Sequence, residues 1–172
     1  VCSPNLALDG TTTGAMTSDA ALSTSSAFTV SAWVNPSALG GVIASQDGVH
    51  NSGFLLYPQA NREWAFCLAT SDATRSYDCI SGGSAIIGQW THLTATYDPT
   101  TKATTLYMDD RAVARGSHTA VSGFTGKFTL GNCLANDARA SYFKGNLADV
   151  KVWNGAALTA VQVATMANIT LP

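Results

Sequence analysis

The sequence predicts an all-β protein, built as a sandwich or barrel of short antiparallel strands. Short apolar stretches bounded by turn residues recur along all 172 residues, and a helix signal is nearly absent. Charged residues make up only 12% of the chain, and Ser and Thr fill the polar positions instead. Thr suits a pleated strand and Ser competes with helix hydrogen bonds, so this composition favours solvated sheet faces. The length fits a single domain covering residues 1–172.

The strand predictions depend on alternation of apolar and polar residues. In the segment 92–98, for example, Leu93, Ala95 and Tyr97 alternate with His92 and two threonines. The predicted strands are, in order, 28–35, 41–45, 53–58, 63–70, 92–98, 104–109, 112–116, 127–131 and 146–153. One short helix is predicted over 158–166, with Thr159 as its N-cap.

Charge and hydropathy exclude two classes of partner. The formal net charge is −2 and the nine Lys and Arg residues are scattered singly, so the chain lacks the basic surface that nucleic acids or anionic membranes require. The longest stretch without charge, 20–46, is rich in Ser and Thr and is no membrane span. The chain begins VCSPN, without Met. We expect a mature or excised piece of a larger secreted protein.

The four cysteines favour disulfides over a metal site. Their spacing matches no zinc pattern, and no CxxC occurs. Four cysteines allow three connectivities, of which we favour Cys67–Cys79, across neighbouring strands, with Cys2–Cys133, which would tie the N-terminus to a late strand. The alternative is that all four are buried thiols. Disulfides imply an oxidising, extracellular setting.

Catalytic patterns are weak. A two-carboxylate glycosidase needs an acid and a second carboxylate across the scissile bond, but Glu63 is the one Glu in the sequence. Asp109 and Asp110 are adjacent in a turn, which favours solvent exposure. No Gly-x-Ser-x-Gly occurs, and the three histidines follow no recognisable triad order. We therefore expect no enzymatic activity.

A calcium site is a possible feature of the loops. Such a site can combine a few Asp oxygens with backbone carbonyls, and Asp9, Asp47 and Asp149 are the plausible donors. Asp149 lies in an apolar strand and needs a partner, because a buried unpaired carboxylate is costly. Lys151, two residues further on the same face, makes an ion pair the alternative.

Several segments in a fixed order resemble one known family. They read LALDG, FTVSAWVNP, VIASQDG, REWAFCL, GQWTHLTATYD, LYMDDR and GNLADVKVWNG. Each segment is weak alone, but together they resemble the laminin-G-like or pentraxin-like jelly rolls of the concanavalin A-like superfamily. The resemblance is greatest to modules of secreted bacterial glycan-active proteins. It covers nearly the whole chain and implies a two-sheet antiparallel jelly-roll sandwich with one short C-terminal helix.

The resemblance also implies roles for particular residues. It assigns the four tryptophans to the scaffold as core or sheet-end residues: Trp33, Trp64, Trp90 and Trp153. It also implies a structural calcium held by Asp9 and Asp149. The chain departs from the family pattern at the Asp109–Asp110 turn, where Asp110 stands in place of a Gly, and at Gln162, where Glu is usual.

Three polar loops are the predicted ligand-binding edge, since sugar recognition needs an aromatic platform and fixed polar groups. The first, 46–52, has Asp47, His50 and Asn51; the second, 71–78, has Arg75 and Tyr77; the third, 134–143, has Asn136, Asp137, Arg139 and Tyr142. The alternative for each loop is an ordinary solvated turn. The resulting prediction is a carbohydrate-binding, lectin-like accessory module, tethered to a catalytic or other domain. The alternative is a structural or protein-interaction module without a glycan ligand.

Overall fold

The strands form two six-stranded antiparallel sheets that pack face to face, which confirms the predicted jelly-roll sandwich. The computed structural model describes residues 4–120 and 122–168. The first sheet has the order β1-β14-β3-β8-β9-β10, and the second has the order β2-β11-β4-β5-β6-β7. A separate hairpin, β12-β13, lies outside both sheets. Within the described residues, no helix is long and apolar enough to cross a membrane.

The elements are β1 (Leu6–Asp9), β2 (Ala15–Met16), β3 (Phe28–Pro36), β4 (Ala44–Asp47), β5 (Ser52–Pro58), β6 (Glu63–Ser71), β7 (Ser76–Ser84), β8 (Thr91–Asp98), β9 (Ala103–Met108), β10 (Arg111–Ser117), β11 (Phe128–Leu130), β12 (Cys133–Ala135), β13 (Ala138–Ala140), β14 (Lys144–Asn154) and α1 (Ala160–Ala167).

The core lies between the two inner sheet faces and is built around aromatic rings. Phe28 on β3 is fully buried and has ring centroids of Phe54, Tyr97 and Phe66 within 5.6, 6.1 and 6.2 Å. Trp64 is also fully buried in this cluster. These rings come from both sheets, so their burial stabilises the contact between the sheets.

The helix covers the outer face of the first sheet. Val163 is fully buried, and Ser31 on β3 lies 3.5 Å from the Met166 sulfur. Thr29 holds the segment that connects β14 to the helix, because its hydroxyl donates to the Ala156 carbonyl and accepts from the Leu158 amide, both at 2.9 Å. Thr159 caps the helix as predicted, in a capping box with Gln162. In the part of the chain that the structure describes, no such helix covers the outer face of the second sheet.

Several polar residues on the outer face of the first sheet are buried, contrary to the expected solvated face. They include Thr29, Ser31, His92, Thr94 and Thr96. The register aligns Thr29 with Thr96 and Ser31 with Thr94, next to the segment that the helix covers. These Thr and Ser residues therefore belong to strands β3 and β8, whose polar side is covered by other parts of the protein as well as their apolar side.

Two segments that the sequence treats as loops are strands. β7 begins at Ser76, inside the predicted loop 71–78, and the predicted loop 134–143 contains most of the β12–β13 hairpin. Both segments lack a clear apolar alternation, because β7 is a half-exposed edge strand and the hairpin packs with one side only. In the Asp109–Asp110 turn the left-handed residue is Asp109, at φ 58°, and not Asp110, which stands in place of the family's Gly.

The disulfide prediction is confirmed for Cys67–Cys79, which joins opposed residues of β6 and β7. The other predicted pair involves Cys2, which lies outside the described residues; Cys133 is buried on β12. Of the four tryptophans, Trp64 and Trp33 are buried and Trp90 and Trp153 are half-buried.

We expect Phe28→Ala to lower the free energy of unfolding by about 3–5 kcal/mol, because it removes the ring at the centre of the aromatic cluster. Urea denaturation followed by tryptophan fluorescence measures the change. Val49→Ala is the control, since Val49 is 75% exposed, and its effect should stay below about 0.5 kcal/mol. Equal effects of the two substitutions would contradict the assignment of the core.

Candidate functional site

A pocket of about 270 Å³ opens on the outer face of the second sheet. We call it the second-sheet pocket. Its lining includes Val42, Leu55, Tyr57, Arg75, Cys133 and Ser141. Leu55 and Tyr57 lie on β5 and alternate with the core residues Phe54 and Leu56, so both point away from the core. The pocket therefore combines an apolar base, a half-exposed tyrosine ring and a cationic side chain.

Gly40 and Gly41 form one wall of the pocket, and this wall requires glycine. Gly41 has φ +74°, and a Cβ there would lie 2.5 Å from the Tyr142 carbonyl oxygen. The close approach lets the Val42 amide donate to the Ser141 carbonyl at 2.7 Å. The segment before β4 is thereby joined to the chain that follows the β12–β13 hairpin.

The three predicted loops meet along one border of this outer face. The hairpin packs on β4 and β5, with the Leu134 amide donating to the Ser52 hydroxyl at 2.9 Å. The Asp137 amide donates to the His50 carbonyl at 3.0 Å, which joins the hairpin turn to the loop after β4. Tyr77 on β7 donates its hydroxyl to the Ser52 carbonyl at 2.9 Å. Thus the loops that were predicted separately are in contact.

Asp47 and Arg139 form a partly buried ion pair that holds the hairpin on the sheet. The Arg139 guanidinium donates to both Asp47 carboxylate oxygens, to Oδ1 at 3.0 Å. It also reaches Asn132 Oδ1 at 3.3 Å. The side chain of Asp47 is 7% exposed and that of Arg139 is 27% exposed. Both predicted ligand residues are therefore engaged with each other, and their contact fixes the position of the hairpin.

Asp72, which the sequence analysis did not single out, organises the loop after β4. Its carboxylate accepts hydrogen bonds from the amides of Val49, His50 and Asn51 at 2.6, 3.0 and 2.8 Å. Partial burial acts to raise the pKa of Asp72, but these bonds and the nearby His50 outweigh it and lower the pKa. Asn51 is fully buried and accepts from the Asn136 amide at 3.0 Å. The contact between Asp72 and these three amides joins segments more than 20 positions apart, so it could be recognised only from the fold.

His50 and Asp137 form an exposed pair at the tip of the hairpin. His50 Nδ1 lies 2.7 Å from Asp137 Oδ1, with 53% and 69% of the side chains exposed. The hydrogen bond to Asp137, and then its charge, raise the pKa of His50. Since a raised pKa means that the carboxylate favours the imidazolium, the pair is strongest below the pKa of His50 and weakens as the pH rises through it.

Other predicted ligand residues occupy different parts of the border. Arg75 lines the second-sheet pocket from the β6–β7 turn. Tyr142 is half-buried beside this glycine wall, and it forms an isolated parallel β-bridge with Val42. Burial raises the pKa of Tyr77 to about 12, so its hydroxyl stays protonated as a donor. Tyr57 was not among the predicted site residues, although its alternation with Phe54 and Leu56 in 53–58 indicates that it points away from the core.

The structure does not bring Asp9 and Asp149 together. Asp9 lies opposite Lys144, five positions before Asp149 on β14, which corresponds to roughly 16 Å at about 3.3 Å per residue. The Asp9 carboxylate accepts from the amides of residues 11–13 and two of their hydroxyls. The amide of Thr12, then those of Thr13 and Thr11, hold the pKa of Asp9 well below its usual range.

Asp149 instead forms the ion pair with Lys151, at 2.7 Å. Calcium ligands lie 2.3–2.6 Å from the ion, so these two aspartates do not fit one calcium site. Across residues 4–120 and 122–168, no group of three or more His, Cys, Asp or Glu is placed to hold a metal. A calcium bound by either aspartate with other oxygen ligands remains a prediction.

Glu63 lies on the same outer face but does not line the second-sheet pocket. Its carboxylate accepts from the Ser81 hydroxyl at 2.8 Å and the Asn61 amide group at 3.2 Å. It begins β6, whereas Arg75 lies in the turn at the far end of that strand. The chain contains no second Glu to act with it.

Solved structures similar to this chain include several modules of the same architecture. A native heptameric SAP-like pentraxin from Limulus polyphemus has TM-score 0.72 and 19% identity, over 95% of this chain and 81% of that one. Domain 4 of AbnA, an extracellular arabinanase from Geobacillus stearothermophilus, in complex with arabinotriose, has TM-score 0.69 and 23% identity, over 90% and 72%. The CBM40 of Ruminococcus gnavus IT-sialidase, bound to α2,3 sialyllactose, has TM-score 0.68 and 13% identity, over 96% and 98%. No curated protein sequence matches the chain.

The fold and the open outer face of the second sheet define a lectin-type jelly-roll sandwich. A family model described as the concanavalin A-like lectin/glucanases superfamily, Laminin_G_3, matches residues 9–164. The chain therefore belongs to this family, and the resemblance seen in its sequence is confirmed.

We expect Asp47→Ala to lower the free energy of unfolding by about 3 kcal/mol, because it leaves the Arg139 guanidinium unpaired under the hairpin. Asp110→Ala is the matched control, since Asp110 forms an exposed pair with Arg111 and its loss should cost less than about 0.5 kcal/mol. Chemical denaturation of both variants measures the difference. A loss in Asp47→Ala no greater than in the control would show that the hairpin is not held by this pair.

We expect Asp137→Asn to lower the pKa of His50 toward its ordinary value, because the substitution removes the carboxylate that favours the imidazolium. An NMR titration of the His50 ring resonances measures the shift. His118, which lies 2.7 Å from Asp78 elsewhere, is the internal control, and its ring resonances should be the same in the wild type and the variant. An unchanged His50 in the variant would mean that the pair does not form in solution.

Proposed function

We propose that this chain is a non-catalytic, carbohydrate-binding (lectin-like) accessory module of a secreted bacterial protein. In this proposal the second-sheet pocket is the binding site and a catalytic or other domain of the parent protein acts on the glycan. The extracellular setting is supported by the Cys67–Cys79 disulfide, since such bonds persist in oxidising compartments.

The observation that carries the proposal is the composition of the second-sheet pocket. Tyr57 offers a half-exposed ring, Arg75 and the Ser141 hydroxyl offer donors, and the base is apolar. Sugar rings present an apolar face and directional hydroxyls, so such a pocket matches both. Two of the similar structures are described with bound oligosaccharides, arabinotriose and sialyllactose, which supports the same class of ligand.

A non-catalytic role is supported by the placement of the carboxylates. Glycoside hydrolysis needs two carboxyl groups on either side of the scissile bond, about 5–10 Å apart. Glu63 lies outside the pocket with Ser81 and Asn61, and Asp47 is paired with Arg139. Neither is placed to act as an acid on a sugar in the pocket.

A second candidate function is protein interaction, supported by the apolar loop between β7 and β8. Ile86 and Ile87 are adjacent and are 47% and 46% exposed. They lie near Pro36, whose carbonyl accepts from the Gly88 amide at 2.8 Å, and so belong to an end of the sandwich. A module without a glycan ligand would use this end to contact another domain.

We expect Tyr57→Ala to weaken glycan binding at least about tenfold, because it removes the ring from the pocket. A tenfold change in Kd corresponds to about 1.4 kcal/mol, which is the free energy gained by burying roughly 55 Å² of apolar surface. The ligand is found first with a glycan array, and the Kd of wild type and variant is then measured by calorimetry. Tyr57→Phe is the control and should retain most of the affinity, because it keeps the ring.

The array is run with calcium and with EDTA. Neither Asp9 nor Asp149 lines the pocket, so binding should be equal in both. Binding that requires calcium, or that survives Tyr57→Ala, would place the ligand elsewhere. No binding to any glycan, together with capture of the module through Ile86 and Ile87 by its parent domains, would favour the second candidate function.

A further inference from the structure

The charge of the second-sheet pocket carries an inference about the class of glycan. It rests on the proposed carbohydrate-binding function. Of the residues that line the pocket, Arg75 is the one with a charged side chain. A neutral sugar needs hydrogen-bond donors and acceptors but no full charge, so an unneutralised guanidinium in the pocket points to a particular ligand chemistry.

The carboxylates around Arg75 already have other partners. Asp72 accepts from the amides of residues 49–51, Asp78 pairs with His118 at 2.7 Å, and Asp47 pairs with Arg139. Among residues 4–120 and 122–168, no carboxylate lies within 4.0 Å of the Arg75 guanidinium. The charge at this end of the pocket is therefore left for a ligand.

The surroundings of Arg75 favour a specific contact over a diffuse one. Burial raises the pKa of the half-buried Tyr77 hydroxyl and of the Cys133 thiol, and the nearby Arg75 guanidinium acts to lower the pKa of both. The planar guanidinium presents two parallel N–H donors, which match the two oxygens of a carboxylate or a sulfate.

The charge along this face differs between the two ends of β6. Arg75 enters the pocket from the β6–β7 turn, whereas Glu63 lies on the same face at the opposite end of β6, eight positions from Ser71. An anionic group is thus attracted to the turn end and repelled from the other. Tyr57 on β5 lies opposite Ala65, between these two ends, where a sugar ring can contact it.

We propose that the second-sheet pocket selects glycans with an anionic sugar, and that the Arg75 guanidinium binds the carboxylate or sulfate of that sugar. Both groups share the same chemistry, because each spreads its negative charge over two or more oxygens, and a guanidinium can donate to two of them at once. The overall net charge of −2 makes nonspecific adhesion to polyanions unfavourable, so binding of this kind would depend on the local cation.

The test uses the whole chain on a glycan array that contains neutral, carboxylated and sulfated glycans. The variants are Arg75→Gln, which removes the charge, and Arg75→Lys, which keeps the charge but lacks the two parallel N–H donors of the guanidinium. Arg115→Gln is the matched control, because Arg115 is an exposed arginine of β10 in the other sheet. Arg75 is exposed in a turn, and an unchanged melting temperature verifies that each variant is folded.

We expect the bound glycans to carry a carboxylate or a sulfate. The identity of the glycans that bind on the array shows which of these two groups the pocket selects. Arg75→Gln should weaken this binding at least about tenfold, Arg75→Lys should recover part of it, and Arg115→Gln should leave it unchanged. Affinity of the wild type should fall as salt is raised, and the salt dependence should flatten in Arg75→Gln.

Two results would overturn the inference while leaving the proposed function in place. One is binding of neutral glycans that is lost in Tyr57→Ala and kept in Arg75→Gln. The other is binding of anionic glycans that Arg75→Gln does not weaken, or that Arg115→Gln weakens equally. Absence of binding to every glycan would overturn both proposals together.

Discussion

Each sheet of a sandwich can bury one face against the other sheet, and the two outer faces that remain must be covered or left to solvent. Here the helix and the segment before it cover the outer face of the first sheet, where Ser31 contacts the helix and Thr29 contacts that segment. On the second sheet a hairpin covers part of the outer face and leaves the rest open. The position of the pocket follows from this difference, since an open concave surface arises where the cover is incomplete.

The incomplete cover is stable because polar groups hold it at several points. The Asp47–Arg139 pair, the Ser52 hydroxyl and the contact between His50 and Asp137 connect the hairpin to β4, β5 and the loop between them. A short hairpin has too little apolar surface to stay folded by itself. Its attachment to the sheet therefore depends on hydrogen bonds and ion pairs, which explains why several polar residues of this region face the protein.

This also explains how far the sequence could predict the structure. Alternation in 28–35, 53–58 and 92–98 predicted strands correctly, because one side of each faces a continuous apolar core. β7 and the hairpin escaped notice, since partial cover leaves no regular pattern. The sequence also pointed to the three segments that meet along one border of the second sheet's outer face, but two of them proved to be partly strand, and the contacts of their side chains were not foreseen. Whether Asp47 or Asn51 binds a ligand or a neighbour depends on contacts across 85 or more positions, which local patterns do not contain.

The Asp72 carboxylate, which organises the loop after β4, lies in the same turn as Arg75 but uses backbone amides as its partners. Amides are present whatever side chains occupy residues 49–51, so this anchor places few demands on the local sequence. The turn can thus keep its shape while the residue at position 75 changes. In the proposed site, folding and ligand preference are carried by different side chains of one turn, so a substitution at position 75 is expected to change recognition without a loss of stability.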